Sequence, residues 1–247
     1  MPLRSLLALS LLAPALHADE AESARRIVDR AVAASGGAKR LAEQQSLSGT
    51  SRGTLTLNGA GRAVENAWTV EGPDRMKWAA DVTMGDQTLN IVLVLDGERG
   101  WIKGNAAEAA ALKADLLAPL RHGFNGLRLA ETLTPLLDRE AKLSPLGELK
   151  VDDRPAVGIK VSRKGRPELD LYFDKKTHRP AKAEMRLTEL NDVEATYTAF
   201  FADYKKVNGR MVFTRLTVKR DGEVVLTMLR SNLEAKAKAA EGTFARP

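Results

Sequence analysis

The dipeptides Asn58-Gly59, Asp96-Gly97, Asn208-Gly209 and Asp221-Gly222 each stand between two stretches of strand-forming residues. Asx-Gly suits the two-residue hairpin loop, whose central positions take positive φ and whose twist matches that of the flanking strands. A chain punctuated in this way is committed to an antiparallel meander. Alternation fills the intervals. Met76, Trp78, Ala80, Val82 and Met84 fall on one face and Lys77, Ala79, Asp81 and Thr83 on the other, and Val64, Asn66, Trp68 and Val70 alternate with Ala63, Glu65, Ala67 and Thr69. Thr88 to Leu95 is apolar on both faces, the mark of a strand covered on both sides.

Beyond the middle of the chain the pattern predicts strands at Lys142–Val151, Ala156–Arg163, Glu168–Asp174, Ala181–Leu187, Glu194–Tyr204, Met211–Lys219 and Glu223–Asn232. Together with those before Gly104 they make about ten or eleven strands, too many for an open twisted sheet to hold without curling. The fold class is therefore mainly β (α+β), a barrel or half-barrel. Helices interrupt it in two places. Ala24, Ile27, Val28, Ala31 and Val32 share one face of a helix that Gly36-Gly37 terminates, with a short helix from Ala38 to Gln44 after it. A helical insertion around 105–138 carries Leu112, Leu116, Leu117 and Leu120 over Asn105–Arg121, and Leu129, Leu133, Leu136 and Leu137 over Leu127–Asp138, where Pro135 limits regularity.

Aromatic residues are 5% of the chain, so a curled sheet has few large side chains to plug its own interior. The leucine-striped helices are the available lids, and a loose lid leaves an apolar cleft of the kind that binds apolar ligands. The inner-face candidates are Trp68, Trp78, Met76, Val82, Met84, Leu93, Trp101 and Phe213, with Leu116, Leu120 and Leu133 from the lid. Alternation assigns residues to a face without saying whether the space beside them is filled, so solid core and cavity lining both stand at this level.

Arg4 followed by the apolar run Ser5–Leu16 has the length of a signal-peptide core, shorter than the roughly 20 residues of a membrane span. Ala18 fits the cleavage position. Residues 1–18 are thus expected to be a signal peptide, and 19–247 one domain, periplasmic or secreted. There is no cysteine, which excludes disulfides, thiolate metal sites and a lipobox. The formal charge of +6 over 247 residues is too dilute to indicate a nucleic-acid partner.

The segments VDDRPAVGIKV (151–161), LDLYFDKKTHRPAKAEM (169–185), FADYKKVNGRMVFTRLTV (201–218) and DGEVVLTMLRSNLEAKAKAAEGTFARP (221–247), in that order, resemble the LolA/LolB superfamily of periplasmic lipoprotein carriers. EGPDRMKWAADV (71–82) and DGERGWI (96–102) sit where that family has a proline-containing strand start and an Asx-Gly hairpin. The resemblance implies an unclosed antiparallel β-barrel with a helical lid, and binding of an acyl chain of a lipid or lipoprotein in place of catalysis. It also implies an arginine latching the lid, for which Arg75 is the nearest candidate.

The remaining polar residues point the same way. His122 and His178 have no metal-ligand spacing to any other residue, and no nucleophile or phosphate-loop motif occurs. Asp152-Asp153 and the Asp170/Asp174 pair read as solvated carboxylates, and Lys175-Lys176, Lys205-Lys206 and Arg215/Lys219/Arg220 as a charged strand edge. The expectation is an exported lipid- or lipoprotein-binding carrier without cofactor or metal. The alternative is an envelope sensor or interaction module of the same fold, bound to a membrane or envelope protein.

Overall fold

The computed structural model describes residues 13–105, 107–189 and 192–247. The first twelve residues of the expected signal peptide lie outside the described residues, and 13–18 open the first helix.

Two helices, α1 (Ala13–Ala34) and α2 (Ala38–Glu43), lead into six strands: β1 (Ser46–Leu57), β2 (Ala60–Glu71), β3 (Arg75–Met84), β4 (Gln87–Asp96), β5 (Arg99–Gly104) and β6 (Ala110–Ala111). Helix α3 (Ala114–Thr132) and a 3₁₀ turn at Thr134–Leu137 follow. The chain closes with β7 (Lys142–Val151), β8 (Arg154–Ser162), β9 (Leu169–Asp174), β10 (Pro180–Thr188), β11 (Glu194–Val207), β12 (Arg210–Arg220) and β13 (Glu223–Lys236).

Among the described residues these strands form one antiparallel sheet of thirteen, ordered β6-β5-β4-β3-β2-β1-β13-β12-β11-β10-β9-β8-β7. Each neighbour is the next strand in the chain except at one seam, where β1 pairs with β13. The sheet is unclosed, with β6 and β7 as its edges. The expectation of ten or eleven strands falls short chiefly because β6 is two residues long, inside the alanine-rich stretch read as helix. That stretch and Leu127–Asp138 are likewise not two helices. One helix runs through both, and Leu133, with φ 57, ends it in the left-handed conformation.

Register shifts at Ser48/Thr50, Pro145/Gly147, Pro180/Lys182 and Val218/Lys219 bend the strands locally. The seam itself depends on Gly53. A Cβ there would lie 1.7 Å from the carbonyl oxygen of Thr227, so β1 and β13 approach as they do because no side chain intervenes.

Helix α1 buries Ala24, Ile27, Val28, Ala31 and Val32 against β7, β8 and the 3₁₀ turn. Arg25 ties it there, donating to the carbonyls of Leu136 (2.5 Å) and Ala141 (2.6 Å). This apolar cluster continues through Ile159, Leu171, Phe173, Phe201 and Phe213. Helix α3 lies over β10, so close that a Cβ on Gly126 would lie 1.8 Å from Cε of Met185. Asn125-Gly126 is helical, although the same dipeptide marks hairpins elsewhere in the chain, and its glycine serves this close approach. The last residues fold back across the start of β3. Ala239 N–H donates to Glu71 Oε2 (2.6 Å), and Phe244 lies under the Arg75 guanidinium at 4.5 Å.

Candidate functional site

Between α3 and the sheet lies a cavity of about 620 Å³ with a wall that is mostly apolar. Helix α3 supplies Pro119, Leu120, Gly123, Phe124 and Leu127, residues three or four apart and so on one face. Both halves of the meander complete the wall, with Leu55, Trp68, Val70, Met76, Trp78 and Leu93 from β1–β4, and Met185, Leu187, Ala199, Leu216, Val218, Leu226 and Met228 from β10–β13. Trp68 and Trp78 are register partners, as are Val70 and Met76, which explains why these four side chains stand together. A further hollow of about 720 Å³ is bordered by exposed charges, Glu65 and Asp81 among them, and lacks such a wall.

Of the residues singled out by the sequence, Trp68, Met76, Trp78, Leu93 and Leu120 line the cavity. Val82, Leu133 and Phe213 are sealed in the apolar core, Phe213 with its ring 4.8 Å from that of Phe201. Met84 and Leu116 are exposed. Trp101 pairs with Val94, while Ile102 pairs with Leu93, so it is Ile102 that shares the face of Leu93. A one-residue difference in where β5 enters the sheet sends Trp101 to the opposite side.

The charged groups of the cavity escape a reading by periodicity. At one end, Glu131 of α3 accepts hydrogen bonds from Arg128 Nη1 and from Arg230 Nη1 (2.6 Å). Arg210, fully buried, donates to the Glu131 carbonyl (3.1 Å) and the Gln44 carbonyl (3.0 Å), and Arg128 Nε donates to the Gly72 carbonyl (3.0 Å). Arg230 is stacked on two rings, 4.5 Å from Trp68 and 4.1 Å from Phe213. Burial alone would raise the Glu131 pKa, but Arg230, Arg128 and Arg210 together hold it at about 2. These arginines attach the lid, from both sides of the contact.

Arg75 does not latch the lid. It is half-exposed on the strand that starts β3, paired with Glu71 (2.6 Å) and Asp96 (3.1 Å). The detectable signal for the true anchor was Arg230, a charge in phase with Leu226 and Met228 on an inward strand face. Arg128 and Glu131, three apart on a helix, read as an ordinary solvated pair, and Arg210 as a charge beside a turn.

At the other end, Arg220 forms a two-pronged pair with Glu189 (2.9 and 2.7 Å), and Tyr197 O–H donates to the same carboxylate. Those bonds, Arg220 first, bring Glu189 to about 2. Burial and Glu189 push Tyr197 up to about 12, so it stays a neutral donor.

Elsewhere the polar residues serve the fold. Asp174 is buried at the β9–β10 turn and accepts from Thr177 N–H (2.7 Å), Thr177 Oγ1 (3.0 Å) and Lys176 N–H (3.1 Å), correcting the reading of it as solvated. His122 lies within α3, and burial, then Arg166 and Arg121, lowers its pKa and keeps it neutral. Among the described residues no group of three or more His, Asp or Glu side chains gathers in a metal-binding arrangement, and no helix is long and apolar enough to cross a membrane.

No family model and no curated protein matches the sequence. The fold, however, is that of known structures. A LolA superfamily protein from Nitrosomonas europaea superposes with a TM-score of 0.56 at 15% identity over 90% of this chain and 97% of that one. A DUF1329 family protein from Desulfovibrio piger gives 0.58 at 16% over 90% and 96%. An outer membrane lipoprotein-sorting protein domain from Vibrio parahaemolyticus gives 0.56 at 14% over 91% and 97%. At these identities the likeness is one of architecture: the unclosed sheet with helices on it is the LolA-like fold.

Proposed function

We propose that this protein is an exported carrier that holds an acyl chain of a lipid or lipoprotein between α3 and the curved sheet. The observation that carries the reading is the 620 Å³ apolar cavity under α3. Each acyl CH₂ moved from water into such a wall contributes about 0.8 kcal/mol, so a chain is held without chemistry at its carbons. Methionines 76, 185 and 228 on the wall adapt to the shape of a flexible guest. The LolA-like architecture and the leader-like first eighteen residues of the sequence support the same reading, that of a carrier working outside the cytoplasm.

The test is native mass spectrometry of protein purified without detergent, alongside displacement of a fluorescent fatty acid. Co-purified lipid or saturable binding near one equivalent is expected. Absence of both overturns the proposal.

A further inference from the structure

Arg128 and Arg230 hold the carboxylate of Glu131 between them, and Arg210, behind the wall, donates to the Glu131 main-chain carbonyl. Three guanidiniums thus gather around one carboxylate and leave two positive charges in excess at one end of the cavity. Glu131 is also the carboxylate that acts on both Arg128 and Arg210. Its two oxygens are engaged, yet donors are left over. Arg128, 2% exposed and part of the cavity wall, has no partner for Nη2, and Trp68, also on the wall, has none for Nε1. Buried charge in excess and buried donors without acceptors are both costly; an anion at this end of the cavity offsets the charge, and it meets the two donors, now closed off, once their side chains turn toward it. The Arg230 guanidinium is held against the rings of Trp68 and Phe213 and by Glu131, so it is positioned before any ligand arrives. The far end has no such excess, because Arg220 is matched there by Glu189. Arg230 is seven steps along β13 from Glu223, the register partner of Arg220, at most about 23 Å of strand. One leaflet's worth of hydrocarbon, half of the roughly 30 Å core of a bilayer, fits within that length.

We propose that the cavity takes an amphiphile with an anionic head, carboxylate or phosphate, lodged against Arg128 and Arg230 with its tail running toward Arg220. This rests on the acyl-chain reading and adds to it the charge and direction of the guest. A planar carboxylate or a phosphate monoester is the natural acceptor for leftover guanidinium and indole donors. A neutral head of equal size leaves the excess charge where it was.

The experiment is calorimetric titration of the full chain, near neutral pH, with dodecanoate, dodecyl phosphate, dodecanol and inorganic phosphate. Both anionic amphiphiles are expected to bind about tenfold or more tighter than dodecanol. Arg230→Gln should narrow that ratio to below about threefold, and Arg230→Lys, which retains the charge but not the fork, should leave an intermediate value. Equal affinity for dodecanoate and dodecanol overturns this inference while the acyl-chain reading stands. Saturable binding of inorganic phosphate with no preference among the amphiphiles also overturns it, since the cluster is then a site for free anions. A ratio unmoved by Arg230→Gln overturns the assignment of the head to this cluster. Failure of all three amphiphiles to bind removes both proposals together.

Discussion

Glu131 joins α3 to β13 through its carboxylate and to β12 through its main-chain carbonyl. Fully desolvated, it stays ionised because three arginines surround it, and they stay folded in because it is there. Glu131→Gln preserves shape and an acceptor while removing the charge. The expected cost is about 3–5 kcal/mol, the range for breaking a buried ionic cluster by taking one partner, and urea unfolding of the variant against the parent measures it. The same carboxylate sets an acid limit. Its folded pKa of about 2 lies below the ordinary 4.5, so its contribution is complete above 4.5 and is lost as pH falls from there towards 2. That contribution is on the order of 3 kcal/mol. Parent and variant should therefore converge in stability across this window, which denaturation series at several pH values would follow; a constant gap would place the acid sensitivity elsewhere. Such a cluster is hidden from sequence reading for a physical reason. Its members come from α3, β12 and β13, and each looks solvated beside its own neighbours in the chain. Trp68 and Trp78 were legible because alternation is a local property; Arg128 meeting Arg210 is not.

Strand identities were legible wherever a turn dipeptide bounded an alternating run, as at Asn208-Gly209 between β11 and β12. What failed was what depends on close approach. Asn125-Gly126 carries a turn signal, yet it lies in α3, where the close approach of Met185 leaves room for no side chain larger than that of glycine. Trp101 took the wrong face because its partner strand, and not its own alternation, sets its register. The β1–β13 seam joins residues 46 and 236, a pairing that nothing near either strand announces. It makes the element-scale expectation sharp. Gly53→Ala drives a methyl group into the Thr227 carbonyl, where backbone has to move, and should cost about 2 kcal/mol or more in thermal or urea unfolding. Gly123 offers the opposite case. It sits mid-helix, and a Cβ there meets Leu187 at an ordinary 3.5 Å. Gly123→Leu should gain up to about 1 kcal/mol from helix propensity while its side chain occupies the cavity. Fatty-acid affinity should then fall about tenfold or more in the fluorescence displacement assay, in a protein no less stable than the parent. Unchanged affinity would mean that the guest does not lie against this part of α3.

A guest under α3 needs a way in, and the two halves of the lid differ in how they are held. From Phe124 to Thr132 nearly every residue is buried, and the Arg128–Glu131 cluster fastens this half to β12 and β13. The half from Ala114 to Arg121 is largely exposed, Leu116 and Leu120 at 39% each, and its ion pair, Arg121 to Glu98, reaches a solvated carboxylate. Its start has no side-chain cap from Lys113, and Pro119 has no amide to give to the helical ladder. Opening free energy follows buried apolar contact and protected hydrogen bonds, so the first half should swing or fray while the second remains as hinge and anchor. Native-state hydrogen exchange read by mass spectrometry tests this directly. Amides of 114–121 are expected to exchange well before those of 124–132, and a bound acyl chain, whose tail this half covers through Pro119 and Leu120, should slow the early set. Binding that stabilises the closed lid raises its protection in proportion to the logarithm of ligand concentration over Kd, so a titration gives the affinity a second time, independently of any dye. Uniform protection along α3, unaltered by ligand, would mean that entry lies elsewhere around the cavity.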